Sequence, residues 1–361
     1  MGQFWSSGSR FLRGVYMLGL AATASASAFQ AQSPATAAAP VANASPAGGT
    51  PAASRADSLE LPVLIVDHEH RPADGVTLDQ LRIKTGTGQP FAPLAMRLED
   101  EDPVSLAILI DASRDSFHDL GKLGDEFAAM VGSVLLPGDR ITIYAADCAM
   151  TRSLLNAPPE AAALRKGVAD ALAAPTLHNG KPHSACGKTV TLWDDVAVAI
   201  AGLSHAPGRR VLLMISSGTD GASKYDWLTV QQYAFDQGVA IFAMRDQRQA
   251  QADDFTRQSL SVTNGSTGFH STISPTPATR NANSLELLCA NSGGLTLMSA
   301  PEFRKDGLAD ILFLVRKRYI LTIPKAAYQP GTSHSAKVTG TLLKTPYFMS
   351  AAGATEPLAA K

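Results

Sequence analysis

Charge is scarce in this chain and balanced where it occurs. Only 17% of the 361 residues are charged, and 31 Lys+Arg stand against 32 Asp+Glu. The resulting net charge of −1 excludes a broadly basic nucleic-acid binder. Aromatic residues are also few, at 6%, and Ala/Ser/Pro-rich ends account for part of both shortages. Beyond the N-terminus no run of about 18 or more apolar residues occurs, which excludes a multi-span membrane protein. No internal repeat is present. What the chain does have is length: at roughly 100–200 residues per domain it suggests two or three folded units with ample core.

The first 28 residues have the make-up of a secretory signal peptide. Arg10 and Arg13 form the positive region, Gly14 to Ala24 a short apolar core, and Ala26-Ser27-Ala28 a small-residue cleavage pattern. The apolar stretch is too short to span a bilayer well. No cysteine lies near the cleavage site to carry a lipid anchor. Loss of Arg10 and Arg13 would take the charge from −1 to −3, so a mildly acidic, exported protein is expected, periplasmic or extracellular. Export makes disulfides admissible. Cys148 follows a strand-like stretch and Cys186 precedes a helix, on what should be one edge of one sheet, so a Cys148–Cys186 bridge is expected. A zinc site from His178, His183, Cys186 and Cys148 matches no familiar spacing. Cys289, in SLELLCANSGG, reads as a small buried apolar residue on a helix.

Residues 29–57 form an Ala/Pro/Ser/Gly linker with too little bulky apolar surface to order itself. Residues 58–101 read as strands around a turn at Arg71–Gly75. From 102 to 318 strands alternate with helices. SLAILID and RVLLMIS are continuous apolar runs, as strands covered on both faces require, and RITIYAAD and VAIFAM join them. Phe117, Leu120, Leu123, Phe127, Met130, Val131 and Val134 make one apolar helical stripe. Val196, Ile200 and Leu203 form a second, and Leu308, Ile311, Leu312 and Val315 a third, followed by Arg316, Lys317 and Arg318, which suit a helix C-terminus. Residues 247–283 are a polar insertion without periodicity. YILTIP, SAKVTGTLL and PYFMS, within 319–350, are strands again, and 351–361 is a tail. The expected fold is α/β, with a doubly wound, mostly parallel sheet whose functional loops lie at the strands' carboxyl ends. A small β-sandwich is expected from the N- and C-terminal flanks, 58–101 pairing with 319–350.

In Val104–Ser116, VSLAILIDASRDS, an apolar strand ends in Asp111-x-Ser113-x-Asp115 and runs into an amphipathic stretch. This resembles the start of a von Willebrand factor A-type domain, whose first strand ends in Asp-x-Ser-x-Ser. The order continues through LPGDRITIYAAD, TLWDDVAVAI, GRRVLLMISSGTDGAS and QGVAIFAM. Both flanks, LELPVLIVDHEHRPADGVTLDQLRIK and ANSGGLTLMSAPEF with RKRYILTI, are similar to the exported VWFA-related proteins named from acidobacteria. The likeness covers roughly residues 60–350.

The resemblance implies a binding protein rather than an enzyme, with a protein partner. It also implies one divalent cation, Mg²⁺ or else Mn²⁺ or Ca²⁺, held by three loops and completed by a partner's acidic group. Neutral hydroxyls around such an ion leave it electrophilic towards a carboxylate. Carried over, the ligands are Asp111, Ser113 and Asp115 in the first loop, Thr189 or Thr191 in the second, and Ser217 with Asp220 in the third. Three positions depart from the family. Asp115 replaces its second serine, neither threonine is in register with Leu192-Trp193-Asp194, and Ser217 replaces its third-loop aspartate. Either Asp115 compensates and a cation stays with a changed ligand set, or the loops merely cap helices and the module binds without metal. Asp115 or Ser116 would cap the following helix in either case.

Enzyme motifs fail on inspection. Gly187-Lys188-Thr189 lacks the phosphate-loop glycine, with Pro182 in its place. His68-Glu69-His70 is not the zinc-protease motif. Ser216-Ser217-Gly218 lacks the glycine a nucleophile elbow needs. A hydrolase built from residues that meet only in space is the third and weakest alternative.

Overall fold

The computed structural model describes residues 57–112, 123–147, 149–177, 191–221, 223–246, 284–299, 304–331, 334–340 and 347–358. In chain order the elements are β1 (Ser58–Val66), β2 (Leu81–Thr85), β3 (Ala95–Leu98), β4 (Val104–Asp111), α1 (Gly124–Val134), β5 (Arg140–Ala146), β6 (Met150–Ala157), α2 (Ala161–Leu177) and α3 (Leu192–Ser204). There follow β7 (Arg209–Ile215), α4 (Trp227–Asp236), β8 (Val239–Asp246), α5 (Ser284–Ala290), β9 (Thr296–Ser299), α6 (Arg304–Leu314), β10 (Arg318–Pro324), β11 (Ala336–Gly340) and β12 (Phe348–Ala351).

The central sheet has the order β6-β5-β4-β7-β8-β9. Its neighbours run parallel except β6, which is antiparallel to β5. Successive side chains of a strand point to opposite faces. In β4, Leu106, Ile108 and Ile110 therefore join one core with Phe127, Val131, Ile143, Leu213, Phe242 and Ile311, beneath α1, α2 and α6. Ala107 and Leu109 join the other with Trp193, Val196, Ile200, Met214, Ile241 and Leu288, beneath α3, α4 and α5. Burial on both faces is why these strands are apolar throughout.

The flanks form two antiparallel sheets, β12-β1-β10-β3 and β11-β2. They enclose a third core of Leu61, Val63, Ile65, Leu81, Ile83, Leu321, Ile323 and Val338. The opposite face of β1 presents Leu64 and Val66 to the first core, so β1 is buried along its whole length.

Arginine pairs tie these layers together. Arg318 and Glu99, 1% and 0% exposed, form a two-pronged pair. Arg209 pairs with Glu60 and Asp102, and Arg97 pairs with the same two carboxylates. Burial acts to raise the Asp102 carboxyl, but Arg97 and Arg209 outweigh it and hold it below the usual range. The basic run after α6 serves differently from expectation. Arg316 pairs with buried Asp139 and donates to the Val134 carbonyl, so it closes the end of α1 rather than its own helix. Lys317 pairs with Asp100.

The strands β6 and β9 and the helices α2 and α4 were not anticipated as elements. His68, Glu69 and His70 are exposed in a turn. Cys289 is free and fully buried on α5, and burial pushes its thiol up to about 12. Cys148 and Cys186 lie outside the described residues, as do His178 and His183, the insertion 247–283, the leader and the linker up to residue 56. So do residues 117–122, the first part of the stripe that runs into α1.

Candidate functional site: the carboxyl-end crevice

In the strand order just given, connections run outward in opposite directions from β4 and β7. A sheet wound this way leaves a crevice at the carboxyl ends of the two strands where the order reverses. Asp111 ends β4 there, and Ser216 and Ser217 follow β7. All three are buried, at 2%, 3% and 2% exposed. Both strand ends are held by ladder extensions: the Ala112 amide donates to the Ala146 carbonyl at 2.7 Å, and the Ser216 amide to Met244 at 3.2 Å.

Ser216 Oγ donates to Asp111 Oδ2 at 2.7 Å and accepts from the Gly218 amide at 3.0 Å. It is a strut between the first and third loops. Gly218 has φ +76°, the left-handed conformation a glycine takes most easily, and a side chain at that position would press on Leu285. Arg245, 3% exposed, supports the loop from below by donating to the Ser217 carbonyl at 2.9 Å and pairing with Glu286 at 2.6 Å.

Ser217 stands where the resemblance places an aspartate. Its hydroxyl bonds the Thr219 hydroxyl at 3.2 Å and accepts from the Thr219 amide at 3.3 Å. Asp220 accepts from Ser223, at 2.5 Å from the hydroxyl and 3.3 Å from the amide. The Ser223 hydroxyl in turn accepts from the Trp193 amide at 2.9 Å and, more weakly, the Asp194 amide at 3.3 Å, satisfying the first turn of α3. Asp194 completes the lock by accepting from the Lys224 and Tyr225 amides at 3.0 and 3.1 Å. Thr191 immediately precedes α3 and offers its carbonyl to the Asp195 amide at 3.0 Å.

Asp195 is the residue that sequence reasoning missed. It lies in the first turn of α3 and is 7% exposed. Its Oδ2 is buried and has no hydrogen-bond partner among the described residues. Burial, and then the negative charges of Asp194, Asp111 and Asp220, push its carboxyl up from 3.8 to about 7. A signal was present. Leu192, Val196, Ala199 and Leu203 face the core, and position 195 falls on that same stripe, where a carboxylate is out of place.

Of the residues expected at the site, the structure describes Asp111, Thr191, Ser217 and Asp220. Ser113, Asp115 and Thr189 lie outside the described residues. Among the described residues no group of three or more His, Cys, Asp or Glu side chains is arranged to hold a metal ion. The oxygen chemistry around Asp111 nevertheless suits a hard divalent cation. It combines a buried carboxylate, neutral hydroxyls and, at Asp195, an orphaned buried carboxylate oxygen. A cavity of about 390 Å³ lies elsewhere, at the amino end of β7, and is lined in part by Arg210, Gln237 and Glu356. There Arg210 donates to the carbonyls of Ala206 and Gln237, just past the ends of α3 and α4. That role accounts for its charge.

No family model matches this chain, and no curated protein matches it. Among solved structures it is similar to proximal thread matrix protein 1 from the mussel byssus, at 11% identity and TM-score 0.41, over 68% of this chain and 51% of that one. A second structure of that protein, described as having a zinc-occupied MIDAS motif, has 11% identity and TM-score 0.42, over 64% and 49%. The von Willebrand factor domain of the type V pili tip protein Mfa5 from Porphyromonas gingivalis has 10% identity and TM-score 0.38, over 59% and 95%. This chain thus spans about half the length of the mussel protein. Likenesses this remote transfer neither ligand nor partner. Among the described residues no helix is long and apolar enough to cross a membrane.

Proposed function

We propose that this chain is an exported binding module of von Willebrand factor A type, periplasmic or extracellular, that takes a protein partner at the crevice between β4 and β7. The observation that carries this reading is the buried Asp111 at the point where the strand order reverses, with Asp195 near enough to feel its charge. Such a crevice by itself repels an acidic partner. A divalent cation, Mg²⁺ or else Mn²⁺ or Ca²⁺, reverses that sign. It would be held by Asp111 together with Ser113, Asp115, Thr189 or Thr191 and the third loop around Ser217 and Asp220. When bound, the ion supplies an electrophilic position that a partner's carboxylate completes. This chain's own residues supply the frame. Ser216 fixes Asp111, Arg245 fixes the third loop, and Asp194 and Ser223 fix that loop to α3. Ser216 donates to the Asp111 carboxylate, so its hydroxyl acts as a strut between the first and third loops.

Ser217 favours a second reading, a metal-independent module whose partner meets the flanking sheets or the 247–283 insertion. Thermal unfolding of the full chain separates the two. In the first reading Mg²⁺, Mn²⁺ or Ca²⁺ raises the midpoint over EDTA, and Asp111→Ala abolishes the rise. No response in either protein removes the cation and leaves the second reading.

A further inference from the structure

The third loop has a serine where the resemblance places an aspartate, and its own carboxylate, Asp220, is engaged by Ser223, while the first turn of α3 has a carboxylate oxygen to spare. We propose that Asp195 is a ligand of the cation, taking the place that Ser217 leaves without charge. The inference rests on the cation-dependent reading above and adds to it a residue from outside the three motif loops.

Three observations carry it. Ser217 is buried and its hydroxyl is turned to Thr219, so that position presents no anionic oxygen to the crevice. The Asp220 oxygens accept from the Ser223 hydroxyl and amide, in a contact that ties the loop to α3. Asp195, by contrast, is buried with one carboxylate oxygen that no described residue satisfies, although an unmatched polar atom in such surroundings is costly. It is also close enough to Asp111 and Asp220 to feel their charges. A buried carboxylate that feels the charge of other carboxylates, with an oxygen that no described residue satisfies, is the arrangement a hard cation resolves. The ion neutralises the cluster and fills the empty coordination of Oδ2. Asp111 and Asp195 would then each supply an anionic oxygen, one from β4 and one from α3. The remaining positions stay with neutral oxygens or the partner.

Asp195→Asn tests this with little change of shape, because the amide occupies the same volume and carries no charge into the core. Mn²⁺ binding to the EDTA-stripped, then chelator-free full chain is read by the loss of the free-ion paramagnetic resonance signal, for the wild type, Asp195→Asn and Asp111→Ala. The inference expects Asp195→Asn to weaken Mn²⁺ by at least about tenfold. It also expects Ser217→Asp, added to Asp195→Asn, to restore a large part of that loss by returning the carboxylate to the third loop. A general loss of structure would not be rescued in this way. If Asp195→Asn binds Mn²⁺ like the wild type while Asp111→Ala does not, the proposal for Asp195 is overturned. Compensation then falls to Asp115, and the cation-dependent reading survives. If the wild type itself takes up no Mn²⁺, both are overturned.

Discussion

The two ends of the central sheet treat buried charge in opposite ways. At the amino end, carboxylates meet arginines. Glu60 and Asp102 share Arg209 and Arg97, Asp139 holds Arg316, and Glu99 holds Arg318. At the carboxyl end, among the described residues, Asp111, Asp194 and Asp220 meet hydroxyls and backbone amides, and Asp195 keeps an oxygen that meets none of them. Arg245, the arginine described beside this end, is spent on Glu286 and the Ser217 carbonyl. Internal pairing fixes an architecture. A buried carboxylate with an oxygen that no described residue satisfies is a functional candidate, since it costs stability.

Breaking the amino end should produce the largest effect. Arg318→Ala leaves Glu99 buried and unpaired, and urea unfolding should show a loss of about 3–5 kcal/mol. Replacing both members with apolar residues, Arg318→Met with Glu99→Leu, should cost far less than the single change, because no charge is then stranded. Equal losses from the single and double variants would show that the pair acts through its packing alone.

At the carboxyl end the same kind of change should have the opposite sign. Asp195 titrates near 3.8 unfolded and at about 7 folded. The folded chain therefore holds its proton more tightly, and in EDTA stability should fall as pH rises from about 4 to 7 and stay low above that. Asp195→Asn should remove this slope. At about pH 8 it should be more stable than the wild type by roughly 2 kcal/mol once solvent screening is allowed for. A destabilised variant with the slope intact would mean that the carboxylate is satisfied after all.

A smaller effect sharpens the contrast. Ser223→Ala removes the hydroxyl that accepts from the first-turn amides of α3 and donates to Asp220. It should cost about 1 kcal/mol. Hydrogen exchange should quicken at the Trp193 and Asp194 amides and stay unchanged at those of β4.

How much of this was legible in the sequence follows the range of the interactions involved. Strands covered on both faces announce themselves as unbroken apolar runs, so β4, β7 and β8 were readable. The helical stripes of α3 and α6 were readable for the same reason. The strand β6 was not, because its residues MTRSLLNA are mostly half-exposed and follow neither a continuous nor a clean alternating pattern. The buried ion pairs were opaque because their partners lie far apart in the chain. Glu99 and Arg318 are separated by 219 residues, and Glu60 and Arg209 by 149. At the crevice, the motif drew attention to Asp111 and the third loop. Asp195 was passed over because successive aspartates in a helix's first turn have an ordinary local explanation in the helix dipole. Only packing showed which of the two faces inward.

The central claim is that the crevice is built around a cation that the sheet's carboxyl end does not supply from within. Anomalous diffraction from a crystal of the full chain grown with Mn²⁺ tests it most directly. The account predicts a peak between Asp111 and Asp195, with a carboxylate oxygen of each at roughly 2.0–2.6 Å. A crystal with Mn²⁺ bound only at surface carboxylates, and with Asp195 Oδ2 still facing no partner, would contradict it.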